Sequence, residues 1–145
     1  MCGATCPNRV FPSIPYSFQL LYGDSLGQAS MKLLIVEDNA STRRLIRTIV
    51  AGVATQVYEC ADGAEALASY IAHRPDFVLM DLAMQRMDGI TATRQIRASD
   101  PTARIIIVTQ YDEADLREEA KAAGACGYVR KENLLEVVQL LEEER

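Results

Sequence analysis

The stretch Phe77–Gly89, FVLMDLAMQRMDG, decides how the rest of the chain is read. Its first four residues, Phe77 to Met80, form an apolar run of the kind shown by a strand covered on both faces. The run stops at a carboxylate, Asp81, and after Leu82, Ala83 and Met84 the chain turns through Asp88-Gly89. A charge at the end of a buried strand is costly unless a counter-charge or a metal balances it. Either other segments supply that balance, or Asp81 merely terminates a strand.

Working outward from this stretch, apolar strands are predicted at Leu33–Val36, Gln56–Tyr58, Phe77–Met80, Ile105–Val108 and Gly127–Val129. Helical periodicity lies between them. Ala40–Ala51 carries Leu45, Ile46, Ile49 and Val50 and stops at Gly52. Asp62-Gly63-Ala64-Glu65 reads as a cap opening a helix that ends at Pro75. A third helix runs from Gly89 to about Ala98, before Asp100-Pro101. A fourth opens with Asp112 and Asp115 and ends at Gly124, and the last covers about Asn133 to Glu143. Strands alternating with helices imply an α/β fold: a doubly wound, five-stranded parallel sheet flanked by five helices, with right-handed crossovers.

Composition narrows the function. The 145 residues suffice for one domain with a sizeable core but not for two ordinary ones. A formal net charge of −5 argues against direct nucleic-acid binding, which needs cations to neutralise phosphates. No apolar run approaches membrane-spanning length. Cys2, Cys6, Cys60 and Cys126 lack the spacing and the histidines of a zinc site, the one histidine being His73. Free thiols in a reducing cytosol are the expectation, so the chain is placed in the cytoplasm.

Residues 1–30 differ from the rest. They carry two charges, Arg9 and Asp24, and three of the five prolines, Pro7, Pro12 and Pro15, with neither the apolar core nor the cleavage site of a secretory signal. Periodicity starts at MKLLIVEDN, Met31–Asn39. Residues 1–30 are therefore expected to be a poorly ordered extension or a mis-assigned start, and residues 31–145 the domain.

In an open parallel sheet, ligands sit outside the carboxyl ends of the strands. The first strand leads into Glu37-Asp38, the third into Asp81, the fourth into Thr109-Gln110 and the fifth into Arg130-Lys131. Glu37, Asp38 and Asp81 would repel one another unless a cation joins them, and hard oxygen donors suit Mg²⁺. An aspartate, a metal, a hydroxyl and a lysine suit phosphoryl transfer, with Asp81 as nucleophile. Each residue alone has an ordinary reading: Glu37-Asp38 as a helix cap, Asp81 as a strand end, Thr109 as a strand residue, Lys131 as a solvated cation. Four successive strand ends carrying all of them make the ordinary readings poor together. Asp88 is expected to be only a cap or turn former. His73 is expected to be exposed near a helix end, and Cys60 and Cys126 to pack as small apolar residues.

Six motifs in order, LLIVEDN, ADGAEAL, PDFVLMDLAM, MDGI, IIIVTQYDE and KAAGACGYVRK, make Met31 to about Glu143 resemble the receiver domain of bacterial two-component response regulators, the CheY-like family. The resemblance implies a flavodoxin-like sheet of strand order 2-1-3-4-5. It further implies phosphorylation of Asp81 by a sensor histidine kinase or phosphotransfer protein. Mg²⁺ would be held by Glu37, Asp38 and Asp81 with the carbonyl of Ala83, Thr109 and Lys131 would contact the phosphoryl group, and Tyr128 would switch rotamer together with Thr109.

Three residues depart from the family pattern. Gln85 and Glu132 stand where proline is usual, and Gln110 where a small residue is usual. A more mobile loop after Asp81, a trans peptide at Glu132 and narrower donor access are the expectations. Only Glu142-Glu143-Glu144-Arg145 follow the last helix, so a stand-alone switch is expected, acting through a downstream effector protein. The apolar excess of that helix suggests a partner surface or a homodimer, or else cover by residues 1–30. The competing reading is a non-phosphorylated, receiver-like adaptor that works by protein contacts alone. A phosphohydrolase is disfavoured because the DxD pattern after the first strand is absent.

Overall fold

The computed structural model describes residues 30–144. The readings placed on residues 1–29, among them Cys2, Cys6 and the extension itself, lie outside the described residues.

Among the described residues five strands are present: β1 (Lys32–Val36), β2 (Gln56–Cys60), β3 (Phe77–Met80), β4 (Ile105–Thr109) and β5 (Gly127–Arg130). All pairings are parallel, in the order β2-β1-β3-β4-β5. The helices are α1 (Ala40–Val50), α2 (Gly63–His73), α3 (Gly89–Ser99), α4 (Ala114–Ala123) and α5 (Leu135–Glu143), with a 3₁₀ turn at Lys131–Asn133 before α5. The expected topology and helix count hold. The last helix starts later than its apolar pattern suggested, because Lys131–Asn133 form the tighter turn.

Alternation along the central strands builds two cores. Leu34 and Val36 point to the face covered by Ala66 and Tyr70 of α2, Ile90 and Ile96 of α3, and Ala120 of α4. Leu33 and Ile35 point to the opposite face, under Ile46 and Val50 of α1 and Val137 and Leu141 of α5. The three inner strands are buried on both faces almost throughout, whereas edge strand β2 exposes Gln56 and Glu59. Double coverage explains why β1, β3 and β4 read as continuous apolar runs.

Local chemistry sets the ends of the helices. Asn39, Asp62 and Asp88 cap α1, α2 and α3 by accepting the N–H groups of Thr42, Ala64 and Thr91. Asp88 is thus the cap expected of it. Gly124 ends α4 at φ 106°, a left-handed geometry that side chains resist. Among the described residues no helix is long and apolar enough to cross a membrane.

Three expectations change in detail. Cys60 is buried, but Cys126, just before edge strand β5, is exposed rather than packed. His73 is half-buried, its ring stacked on Tyr58 with centroids 3.8 Å apart. Leu134 just before α5 and Val137 and Leu141 within it face the sheet and Val138 and Leu140 pack beside it, leaving Leu135 as the large apolar side chain of this helix exposed, at 71%.

Candidate functional site

Strand register assembles the rim. Val36 of β1 stands between Cys60 of β2 and Met80 of β3, so Glu37 and Asp81 leave adjacent strands side by side. Thr109, the last residue of β4, pairs with Arg130 of β5, which brings Lys131 to the same edge.

Glu37 and Asp81 are buried, at 1% and 4% exposure, while Asp38 is exposed. One carboxylate oxygen from each of Glu37, Asp38 and Asp81 lies within 4.8 Å of the other two. The Lys131 ammonium reaches between them, 2.7 Å from Glu37 Oε2 and 3.3 Å from Asp81 Oδ1. Glu37 is also held from behind: the Asn39 N–H donates to its Oε1 at 3.1 Å and Arg43 to its main-chain oxygen at 2.7 Å. Asp81 Oδ1 accepts the N–H of Leu82 at 2.9 Å.

The electrostatics are those of an unbalanced anionic pocket. Burial pushes the carboxyl groups of Glu37 and Asp81 above the usual range, and Lys131 offsets this only in part. Burial alone would lower the Lys131 ammonium, but the Glu37 hydrogen bond and the charges of Asp81 and Glu37 prevail and hold it above its ordinary value. Three carboxylates facing one ammonium leave negative charge over. Hard oxygen donors with surplus charge and one open, exposed member fit a Mg²⁺ ion.

Thr109 is fully buried, its hydroxyl accepting the Tyr111 N–H at 3.3 Å. Tyr128 is half-buried, packed against the core on the side covered by α4. Its hydroxyl donates to the Tyr111 carbonyl at 2.8 Å, and the Arg117 guanidinium stacks 4.5 Å above its ring. The main chain of Tyr111 therefore joins Thr109 to Tyr128. Ala83 is exposed, two residues beyond Asp81.

Two glycines and one acid shape the loop from Leu82 to Asp88. The Gly89 N–H donates to the Leu82 carbonyl at 3.0 Å, and a Cβ on Gly89 would stand 1.9 Å from the Asp81 main-chain oxygen. A Cβ on Gly63 would stand 2.6 Å from the Met87 carbonyl oxygen. The buried Asp62 carboxylate accepts N–H groups from Arg86 at 3.0 Å and Met87 at 3.2 Å, besides capping α2. Sequence reasoning found Asp62 as a cap and missed this second task. It also missed Asn39 and Arg43 as supports of Glu37, although Asn39 three residues before Thr42 has the form of a helix cap.

The model of the response regulator receiver domain matches residues 33–142. The chain belongs to that family. It is 35% identical over 100 residues to sporulation initiation phosphotransferase F of Bacillus subtilis, covering 69% of this chain and 81% of the relative. It is 38% identical over 101 residues to the chemotaxis protein CheY of the same organism, covering 69% and 84%. Among solved structures, a LuxR-family two-component response regulator from Aurantimonas superposes with a TM-score of 0.74 at 35% identity, covering 79% of this chain and 84% of that one. CheY in a CheX-CheY-BeF3-Mg complex from Borrelia burgdorferi superposes with a TM-score of 0.70 at 28% identity, covering 78% and 87%. Receiver domains are signalling proteins that generally use Mg²⁺ and engage kinases, phosphotransfer proteins and effectors, and this member has a cluster of three acidic residues that could hold a metal ion.

Proposed function

We propose that this receiver accepts a phosphoryl group on Asp81 from a sensor histidine kinase or phosphotransfer protein and passes the signal to a separate effector protein in the cytoplasm. The observation that carries the reading is the Lys131 ammonium held between Glu37 and Asp81, beside a third carboxylate.

An Asp81 carboxylate oxygen attacks phosphorus, the bond from phosphorus to the donor nitrogen breaks, and the electron pair leaves with the donor imidazole. Asp81 is buried on all but its rim side, so water is scarce around the nucleophile. Lys131 carries the positive charge that pairs with the incoming phosphoryl oxygens, and the Thr109 hydroxyl donates to one of them. Mg²⁺, held by Glu37, Asp38, Asp81 and the Ala83 carbonyl, would supply the charge neutralisation that brings two anions together. The protein thus promotes its own phosphorylation and dephosphorylation and turns over no other substrate.

The readout follows from Tyr111. When Thr109 turns toward the phosphoryl group its hydroxyl gives up the Tyr111 N–H, and the Tyr111 carbonyl that holds Tyr128 shifts with it. Tyr128 is then free to change rotamer, which alters the face formed by α4, β5 and α5, where an effector or a second copy through the last helix would bind. The adaptor reading would fit a chain that had lost Asp81, a metal acid or Lys131; here all are present and clustered.

The test is incubation with acetyl phosphate, with and without Mg²⁺, followed by intact mass. A Mg²⁺-dependent gain of one phosphoryl group, absent from Asp81→Asn, supports the reading. Labelling of Asp81→Asn equal to the parent overturns it.

A further inference from the structure

The loop after Asp81 lacks a residue of fixed φ at position 85, yet it is tied down at its middle by a side chain from another part of the chain. We propose that Asp62 is a positioning residue for metal binding: its carboxylate sets the path of the Leu82–Asp88 loop and so the position of the Ala83 carbonyl. This rests on the metal site proposed above.

Asp62 is 5% exposed and sits two residues past the end of β2, which pairs with the strand that leads to Glu37 and Asp38. Both of its oxygens accept hydrogen bonds. Oδ1 accepts Ala64 and Met87, and Oδ2 accepts Arg86. A helix cap needs only the first of these, so the other two are spent on a loop 24 and 25 residues further on. The Arg86 side chain folds back beside the same carboxylate, 3.9 Å from Asp62, and reaches Glu65 at 3.3 Å, which keeps the loop clamped on the start of α2. From the other side, the missing side chain of Gly63 gives room for the Met87 carbonyl. The loop's near end is set by Asp81 itself and its far end by Gly89. Ala83 lies between these anchors, so releasing the Arg86 and Met87 amides lets its carbonyl wander. Groups that orient metal ligands without touching the metal typically account for about ten- to a hundredfold in affinity.

The experiment is a Mg²⁺ titration of the full chain by amide-resolved NMR, at a temperature where every variant is folded, on the parent, Asp62→Ala and Gly63→Ala. Asp62→Ala removes the anchor; Gly63→Ala keeps it and pushes the Met87 carbonyl away. The expected result is a Mg²⁺ affinity weaker by about tenfold or more in both, with faster hydrogen exchange at the Arg86 and Met87 amides of Asp62→Ala. A loss of the cap alone would lower stability and leave the affinity of the folded protein untouched. Parent-like Mg²⁺ affinity in folded Asp62→Ala overturns the inference while leaving the site intact. Absence of Mg²⁺ binding by the parent overturns the site reading itself.

Discussion

Lys131 Nζ lies closer to Glu37 Oε2, at 2.7 Å, than to Asp81 Oδ1, at 3.3 Å. The lysine that is to meet the phosphoryl group is, in this state, shared with an acid of the metal cluster. On the proposed function it would have two tasks, holding two buried carboxylates together and receiving the phosphoryl group, and the first is measurable alone. Lys131→Met leaves those carboxylates with no cation, and without Mg²⁺ the domain should lose about 1–3 kcal/mol in urea denaturation. Mg²⁺ should restore much of the loss. A variant as stable as the parent without metal would mean that the lysine contributes nothing to the fold.

Asp38 should behave in the opposite way. It is exposed and adds negative charge to a cluster already in excess. Asp38→Asn is expected to leave metal-free stability equal or slightly higher, within about 0.5 kcal/mol, while the Mg²⁺-induced rise in Tm shrinks. Thermal unfolding with and without Mg²⁺ reads both quantities. An undiminished Mg²⁺ shift would remove Asp38 from the ligand set.

Gly89 is the least replaceable residue near the site. Any side chain there meets the Asp81 main-chain oxygen, which cannot move without moving the nucleophile. Gly89→Ala should cost about 3 kcal/mol by chemical denaturation and slow phosphoryl uptake in the fraction that still folds. Parent-like stability would show that the loop yields easily.

Acidification reports on the Asp62 anchor. The N–H groups of Ala64 and then Arg86 hold the Asp62 carboxyl below its ordinary value. Its folded pKa is thus lower than the unfolded value of about 3.9, so its contribution is complete above that pH and fades as the pH falls through the folded value. The Tm difference between the parent and Asp62→Asn should be largest near about pH 6 and shrink below about pH 4. A difference constant from neutral to acid pH would place the effect elsewhere than in the carboxylate's charge.

The strands, the helices between them and the acids at the strand ends were legible because each depends on short-range pattern, whereas the order of the strands came from the family resemblance. Leu33–Val36, Phe77–Met80 and Ile105–Val108 are continuous apolar runs since helices cover both faces, and polar residues at strand ends stand out against such runs. What stayed hidden depends on loops meeting in space. Asp62 announces a cap through its next three residues, but nothing local foretells Arg86 and Met87 as partners. Gly89 resembles any glycine opening a helix until the Asp81 carbonyl is seen behind it. Cys126 was expected inside because thiols usually are, but it lies in the connection between α4 and the edge strand β5 and is exposed there. The broad apolar pattern of α5 overstated its free surface, since Leu140 packs against the Gly127 end of β5.

The central claim is that Asp81 itself becomes the acyl phosphate, and its chemistry allows a direct reading. The full chain is treated with acetyl phosphate and Mg²⁺, reduced with borohydride, which converts an aspartyl phosphate to homoserine, and sequenced by tandem mass spectrometry. Homoserine at position 81, with Glu37 and Asp38 unaltered, is the predicted result. Reduction at another carboxylate, or phosphoryl uptake that leaves position 81 as aspartate, would contradict it.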